Sequence, residues 1–264
     1  MTAKRQLLLP QFVRVMCALI LREITTTNGG TKFGYLWVIA TPVASIAFLS
    51  YIFSYGFKSP SLGMSFPLFY ATGALPFGMY SSMHKTINSS LYKNKKLLFY
   101  PSVGYIDVIA SRYILTIITQ VVVFCIIFFS IVAIVDMSLQ LRIPTMFNAL
   151  LGASVLALGI GTLNITLFRF IPIWRVIWKI LTRPLYILSC IIFLYEGLPS
   201  AAQSILWYNP IVHIVSIMRT GVYSSEAFEH ADGITMVYPY SVGFIALAFG
   251  LLFLKKNATA VTGR

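Results

Sequence analysis

Lys179 and Arg183 are the residues whose type and spacing most favour ligand binding, because residues four apart lie on one face of a helix. The uncharged run beside them begins only at Pro184, so a stretch of membrane-crossing length must start near Val176 and include both charges. Lys179 can extend to a membrane surface. Arg183 would lie about 10 Å deeper than Val176 and needs water, a carboxylate or a bound anion. No carboxylate falls inside an apolar stretch, so we expect a hydrated path for an anionic ligand.

Other groupings that could do chemistry are missing from the sequence. The histidines are far apart along the chain, and no glycine-rich phosphate loop occurs. The cysteines lack metal-ligand or disulfide spacing. We therefore expect no catalytic residue, no metal site and no cofactor in this chain. The residues considered are His84, His213, His230, Cys17, Cys125 and Cys190.

Composition indicates a membrane protein. Hydrophobic residues make up 58% of the 264 positions and charged residues only 10%, with a mean hydropathy of +0.83. Soluble domains carry roughly 25% charged residues. The short segments between apolar runs leave no room for a soluble catalytic domain. We therefore predict a single all-α polytopic membrane domain over residues 1–264.

The basic residues predict the orientation of this domain. Seventeen of the 20 fall in alternate gaps between apolar runs, and Lys58, Arg142 and Arg219 fall in the other gaps. Basic residues are retained on the cytoplasmic side, so we predict six transmembrane helices with both termini in the cytoplasm. The net charge of +13 follows from this pattern, and no nucleic-acid-binding motif accompanies it. The predicted spans are 36–55, 66–82, 113–135, 143–168, 176–195 and 233–254.

Two segments outside the spans carry their own patterns. Apolar residues recur at helical spacing before the first span, so residues 1–33 are expected to form a cytoplasmic amphipathic interface helix. If the uncharged stretch 197–218 crossed the membrane as a seventh span, the basic C-terminal residues would lie outside the cell membrane, against the pattern of the other basic residues. Asn209 as a cap and Pro210 as a first helical residue would divide it into two short helices. We expect a re-entrant hairpin that enters from the periplasmic face before the last span.

The loop at 84–101 combines positive charge with apolar side chains. Asn88 or Ser89 can cap a short helix there, and Pro101 prevents its extension. One interpretation is a solvated loop that is basic only because basic residues are retained on the cytoplasmic side of the membrane. The other is a docking helix, because exposed apolar patches usually have partners. The apolar residues of the docking interpretation are Leu91, Tyr92, Leu97, Leu98 and Phe99.

Aromatic residues are dense around the first and fifth spans. They fit either the interfacial belt common in membrane proteins or a lining on which sugar rings stack. Residues far from the interface, such as Phe48 and Tyr186, fit the belt least well. The residues considered for a substrate path are Phe48, Tyr51, Tyr55, Lys58, Trp178, Lys179, Arg183, Tyr186, Phe193, Tyr195, Trp207, Tyr208 and Arg219.

One group of short motifs leads into the first span, and a second group precedes the last span. They are Arg22-Glu23, Gly34-Tyr35-Leu36-Trp37 and Pro42, and then Pro199, Trp207-Tyr208-Asn209-Pro210-Ile211-Val212-His213 and Arg219. Their order resembles the permease subunit of polysaccharide-exporting ABC transporters. The chain looks most like the capsule-exporting, KpsM-like branch of Gram-negative bacteria, and the resemblance covers essentially its whole length.

This resemblance implies a homodimer of permeases in the bacterial inner membrane, bound to two copies of a separate ATPase that carries ATP and Mg²⁺. Loop 84–101 would be the coupling helix, and the first and fifth spans would line a canal for a lipid-linked polysaccharide. Acidic capsular polymers would suit Lys179 and Arg183. Export components in the periplasm and outer membrane are also implied. An O-antigen exporter, a drug or lipid exporter, and a stand-alone carrier or channel are the alternatives left open.

Overall fold

The computed structural model describes residues 8–28, 34–56, 59–63, 65–100, 103–135, 141–223 and 233–257. This part of the chain is helical and contains no strand, as expected for apolar segments that satisfy their own backbone hydrogen bonds. A 3₁₀ turn at Leu97–Phe99 follows the fourth helix. The helices are α1 (Leu8–Asn28), α2 (Gly34–Gly56), α3 (Phe66–Asn88), α4 (Ser90–Lys93), α5 (Tyr105–Val135), α6 (Ile143–Phe170), α7 (Pro172–Thr182), α8 (Leu185–Leu188), α9 (Ser200–Leu206), α10 (Pro210–Val222) and α11 (Val237–Lys256).

Helix α6 is the centre of the bundle, and α3, α10 and α11 pack around it. Its small residues lie at these contacts. Ala153 and Ala157 are fully buried, Gly161 faces the end of α3, and Gly159 meets Gly243 of α11. Small side chains let helix backbones approach closely, which is how helices associate in lipid. These small residues therefore account for the close packing of α6 against α3 and α11.

Among the described helices, α5, α6, α11 and most of α2 are long and apolar enough to cross a membrane. They confirm the helices predicted for the third, fourth, sixth and first spans. The second predicted span lies within α3, a single helix of 23 residues. Pro67 does not interrupt α3, because it occupies the first turn, where a backbone N–H has no helical partner.

The fifth predicted span is not one helix, which corrects the expectation for 176–195. Helix α7 ends at Thr182, α8 is a single turn, and Cys190 follows in the left-handed region with a φ of 56°. Pro184 is one physical cause, because it has no N–H to donate to the carbonyl four residues earlier. The segment after the break is held by side chains from neighbouring elements.

Helices α9 and α10 are the two short helices predicted before the last span. The side chain of Asn209 accepts a hydrogen bond from Ile211 N at 3.1 Å, and Pro210 is the first helical residue, so the predicted break is confirmed. The Asn209 amide also donates to the Leu188 carbonyl at 3.0 Å and to Ser189 Oγ at 3.2 Å. This one side chain joins the broken fifth segment to the start of α10.

Helix α1 packs against the N-terminal half of α5. Glu23 and Arg112 form an ion pair at 2.7 Å, and both side chains are mostly buried. Arg22 donates to Asn94 Oδ1 at 3.2 Å, which links α1 to loop 89–100. We call this end of the bundle, formed by α1, loop 89–100 and the junction of α6 with α7, the basic end.

We expect Gly159→Ala to lower the thermal unfolding temperature of the purified protein in detergent. A Cβ at this position would lie 2.0 Å from the Gly243 carbonyl oxygen, so α6 and α11 must separate, at a cost of about 1–3 kcal/mol. Gly78→Ala is the matched control, because no described atom lies within 4 Å of its Cβ position and alanine favours a helix over glycine by ~1 kcal/mol. Equal unfolding temperatures for the two variants would contradict the close α6–α11 contact.

Candidate substrate path and coupling surface

A cavity of about 490 Å³ lies between α2, α3 and α5. Its walls are mainly apolar, and Tyr186 closes one side, where its ring packs edge-on against Phe77 with the centroids 5.2 Å apart. Gln120 Nε2 donates to Ser82 Oγ at 3.0 Å and forms a polar patch in the wall. Lys85 also lines this cavity. The cavity can therefore hold a partly polar ligand beside a positive charge.

A second cavity, of about 220 Å³, continues from the first between α3 and α7. The two share Phe77, Ser81 and Lys85 in their walls. Arg175 and Lys179 line the second cavity, and no acidic residue of the described chain lines either one. A cleft lined by charges of one sign attracts counter-ions. The arrangement therefore favours an anionic ligand.

A groove of about 730 Å³ opens at the basic end, between loop 89–100 and the junction of α6 with α7. It shares Asn88 and Arg175 with the second cavity, and it adds Lys95 and Arg169. Tyr92 lines the groove with 86% of its surface exposed. The lining cations thus extend along the bundle, from Lys85 in the first cavity to Lys95 and Arg169 at the surface that could receive a partner.

Arg183 is separated from the cavities that Lys179 lines. It lies at the end of α7, is exposed, and is absent from the walls of the three cavities. Its side chain makes no hydrogen bond or ion pair with the described residues. The two bases predicted to share a helix face are therefore divided between a cavity wall and the protein surface.

The nine aromatic residues predicted for a substrate path are divided among three places. Trp178 and Tyr186 line the two inner cavities. A second group forms an exposed stripe on α2, and a third lies around α9 and the start of α10. Lys58 lies outside the described residues. The α2 group is Phe48, Tyr51 and Tyr55, and the third group is Phe193, Tyr195, Trp207 and Tyr208, of which Tyr195 is buried.

Arg219 has a structural position rather than a place on a path. Its side chain is 0% exposed, and the guanidinium donates to the carbonyl oxygens of Ile191 at 2.9 Å and Phe193 at 3.0 Å. Its Cζ lies 4.4 Å from the centre of the Phe69 ring, a cation–π contact. Arg219 therefore stabilises the non-helical segment after α8, which corrects its assignment to the substrate path.

Loop 89–100 contains a short helix as predicted, but its apolar residues are not all at the surface. Leu91 and Leu98 are 3% and 1% exposed because they pack into the core of the bundle. Ser89 does not cap α4 with its side chain, because its hydroxyl donates back to carbonyls of α3. These positions correct the docking assignment of Leu91 and Leu98. The apolar side chains left at least partly exposed are Tyr92, Leu97 and Phe99.

Sequence reasoning missed a buried polar cluster beside the second cavity. Trp174 Nε1 donates to Asn164 Oδ1 at 2.9 Å, and Asn164 Nδ2 lies 3.0 Å from His84 Nε2. His84 looked isolated because Asn164 lies 80 residues away in the chain. The available signal was Asn164 itself, since a polar residue inside an apolar span usually has a partner on another helix.

The long apolar helices and the basic cavities define a multi-pass membrane protein with internal space for a charged or polar ligand. No family model matches the chain. The chain is 30% identical over 248 residues to the polysialic acid transport protein KpsM of Escherichia coli, covering 92% of this chain and 93% of that protein. It is 27% identical over 249 residues to the capsule polysaccharide export inner-membrane protein CtrC of Neisseria meningitidis serogroup B, covering 94% and 92%.

A third relative is the capsule polysaccharide export inner-membrane protein BexB of Haemophilus influenzae, which is 24% identical over 255 residues, covering 94% of this chain and 92% of BexB. The chain therefore belongs to the KpsM-like family of polysaccharide-export inner-membrane proteins. The resemblance of the chain to this family is confirmed, and so is its place in the inner membrane as a multi-pass protein.

We expect Arg219→Leu to lower the thermal unfolding temperature in detergent. The substitution leaves the carbonyl groups of Ile191 and Phe193 without their donor in the core, at a cost of about 1–3 kcal/mol. Arg183→Leu is the matched control near the same helix break, and its exposed position predicts a change within about 0.5 kcal/mol. An Arg219→Leu protein as stable as the control would contradict the structural role of Arg219.

Proposed function

We propose that this chain is the membrane-spanning subunit of an ABC exporter that moves a lipid-linked, acidic capsular polysaccharide outward across the inner membrane. One observation carries the proposal. Lys85, Arg175 and Lys179 line connected cavities whose described walls contain no acid. Such a surface attracts a polyanion through its overall charge. The names of the relatives, which concern polysialic acid and capsule polysaccharide, agree with this class of cargo.

The topology proposed here has six crossings with both termini in the cytoplasm. Helices α2, α3, α5, α6 and α11 would provide five crossings, and α7 with α8 would provide the broken sixth. The basic end would face the cytoplasm, because basic residues are retained there. Helix α1 would lie at that surface, and the α9–α10 hairpin would enter from the periplasmic side. The irregular backbone after α8 is compatible with membrane depth only because protein surrounds it.

ATP hydrolysis would take place on two copies of a separate subunit, which would bind ATP and Mg²⁺. This chain would take no part in that chemistry, since its sequence carries no phosphate-binding loop. Its contribution would be the basic end, where Tyr92 lines the groove and Phe99 presents a second exposed aromatic ring on the same loop. Aromatic side chains at the centre of an interface often carry much of its binding energy.

A second copy of the chain would complete the canal. Phe48, Tyr51 and Tyr55 are exposed on α2 of the single chain. In a homodimer, two such stripes could face one another and offer sugar rings a surface for stacking. Lys179 and Arg183 would place positive charge near the entrance. Components in the periplasm and outer membrane would then receive the polymer.

We expect Tyr92→Ala to reduce co-purification of the ATPase subunit with the permease roughly tenfold, because the substitution removes a central aromatic contact. The measurement is the ratio of ATPase to permease after affinity capture from detergent extracts. Ile134→Ala is the control for this ratio, because Ile134 is also highly exposed but lies at the C-terminal end of α5, far along that helix from the basic end. Normal ATPase capture by the double variant Tyr92→Ala/Phe99→Ala would contradict docking at this surface.

We expect the double variant Lys179→Gln/Arg183→Gln to export acidic polysaccharide several-fold more slowly, because two charges that attract a polyanion are removed. Surface polysaccharide is measured by binding of a cationic dye to whole cells, per amount of permease. Arg14→Gln, at an exposed position on α1, is the control for a general loss of positive charge. Export at the normal rate by the double variant would exclude both residues from substrate contact.

A further inference from the structure

The C-terminal part of α3 is joined to α7 through one side chain of α6. Trp174 of α7 donates to Asn164 Oδ1 at 2.9 Å, and Asn164 Nδ2 lies 3.0 Å from His84 Nε2 of α3. An indole N–H can only donate, so it fixes which end of the amide faces it. The amide nitrogen can only donate to His84, whose Nε2 must accept. The three groups therefore form a directed chain of hydrogen bonds across three helices.

Aromatic rings pack against this chain, and little of it is exposed to water, although His84 also borders the second cavity. His84 stacks on Tyr80 with the ring centroids 5.9 Å apart, and it contacts the Trp178 ring at 5.3 Å. His84 and Asn164 are 6% and 1% exposed. Hydrogen bonds gain strength when water does not compete with them. The link is therefore a specific junction rather than a surface contact.

Helix α7 has few other attachments to the bundle. None of its residues is buried, and it packs mainly on α6 and the adjoining α8. Trp174 and Trp178 are its two half-buried aromatic side chains, and both belong to the junction. The direction in which α7 presents Lys179 to the second cavity therefore depends on His84 and Asn164.

The other end of the junction leads directly to loop 89–100. Helix α3 ends at Asn88, four residues after His84, and the loop begins at the next residue. Ile87 is 0% exposed and packs on Gly161 of α6, where an added Cβ would lie 2.9 Å from the Ile87 Cβ. Such close packing leaves the end of α3 little freedom to move independently of its neighbours.

We propose that His84, Asn164 and Trp174 are positioning residues that couple the movement of loop 89–100 to the orientation of α7, and so to Lys179 in the cavity wall. This inference rests on the proposed function, in which an ATPase moves the loop and a polyanion contacts the cavity. The physical basis is a contiguous set of hydrogen-bonded and packed groups between the two sites. These residues need not touch the polysaccharide or the ATPase.

The test compares ATP hydrolysis with export in the complete complex of permease and ATPase. Trp174→Phe keeps an aromatic ring but removes the indole donor together with part of the ring volume. We expect it to bind the ATPase and hydrolyse ATP within about twofold of wild type, while polysaccharide exported per ATP hydrolysed falls about fivefold or more. His84→Ala should do the same. His84→Gln should restore coupling, because its amide oxygen can accept from Asn164 Nδ2.

Tyr240→Phe is the matched control, because it also removes a hydrogen bond between α6 and another helix. The Tyr240 hydroxyl donates to Asn148 Oδ1 at 2.7 Å near the opposite end of α6. We expect normal coupling in this variant. Parallel losses of ATP hydrolysis and export in Trp174→Phe and His84→Ala, in proportion to the folded complex, would overturn the proposal. Unchanged export per ATP in both would also overturn it.

A second readout follows α7 itself. Cys17, Cys125 and Cys190 are replaced by Ala, and Lys179→Cys is labelled with a water-soluble maleimide, with and without Mg-ATP and vanadate. We expect the labelling rate to depend on nucleotide when the junction is intact and to lose this dependence in Trp174→Phe. A dependence that survives in Trp174→Phe would overturn the link. If the wild-type complex exported no acidic polysaccharide, the proposed function would fail, while this measurement would still test the junction.

Discussion

The chain leaves the helical conformation after α8, inside the bundle, and its backbone groups must find partners there. Water cannot serve, because Ser189, Cys190 and Ile191 are fully buried. Arg219 donates to two carbonyl groups of this segment, and Asn209 donates to its beginning. In return, the carbonyl dipoles and the Phe69 ring stabilise the buried guanidinium. An unpaired backbone group would cost too much in such surroundings, so the path of the chain through this region depends on these side chains.

The broken fifth segment also borders both cavities. Helix α7 lines the second cavity as far as Thr182, and Tyr186 of α8 lines the first. Lys85 and Lys179 face the second cavity from opposite helices. Like charges in a confined site are stable only when water or an anion accompanies them. The basic lining of this space is the feature on which the proposed polyanionic cargo rests.

At the basic end, loop 89–100 is an integral part of the bundle. Leu91 and Leu98 anchor it in the core, Arg22 bonds to its Asn94, and α3 runs into it without an intervening linker. A partner that presses on Tyr92 would consequently act on α1, α3 and α5 together. This arrangement suits a surface that transmits force, because a loosely attached loop would absorb the movement instead.

Local patterns in the sequence determined the all-helical class, the helices of four spans, the break at Asn209–Pro210 and the family. Apolar periodicity, small-residue spacing and cap residues act within a few positions of one another, so they can be recognised in a single chain. Only the tertiary structure decided that Arg219 is buried, that Leu91 and Leu98 point inward, that the fifth span is broken, and that His84 meets Asn164. Each of these outcomes depends on where distant segments meet: Arg219 bonds to a carbonyl 28 residues away and His84 to an amide 80 residues away. Residue type and local spacing do not specify such partners, because burial and hydrogen bonding are settled only when the helices pack.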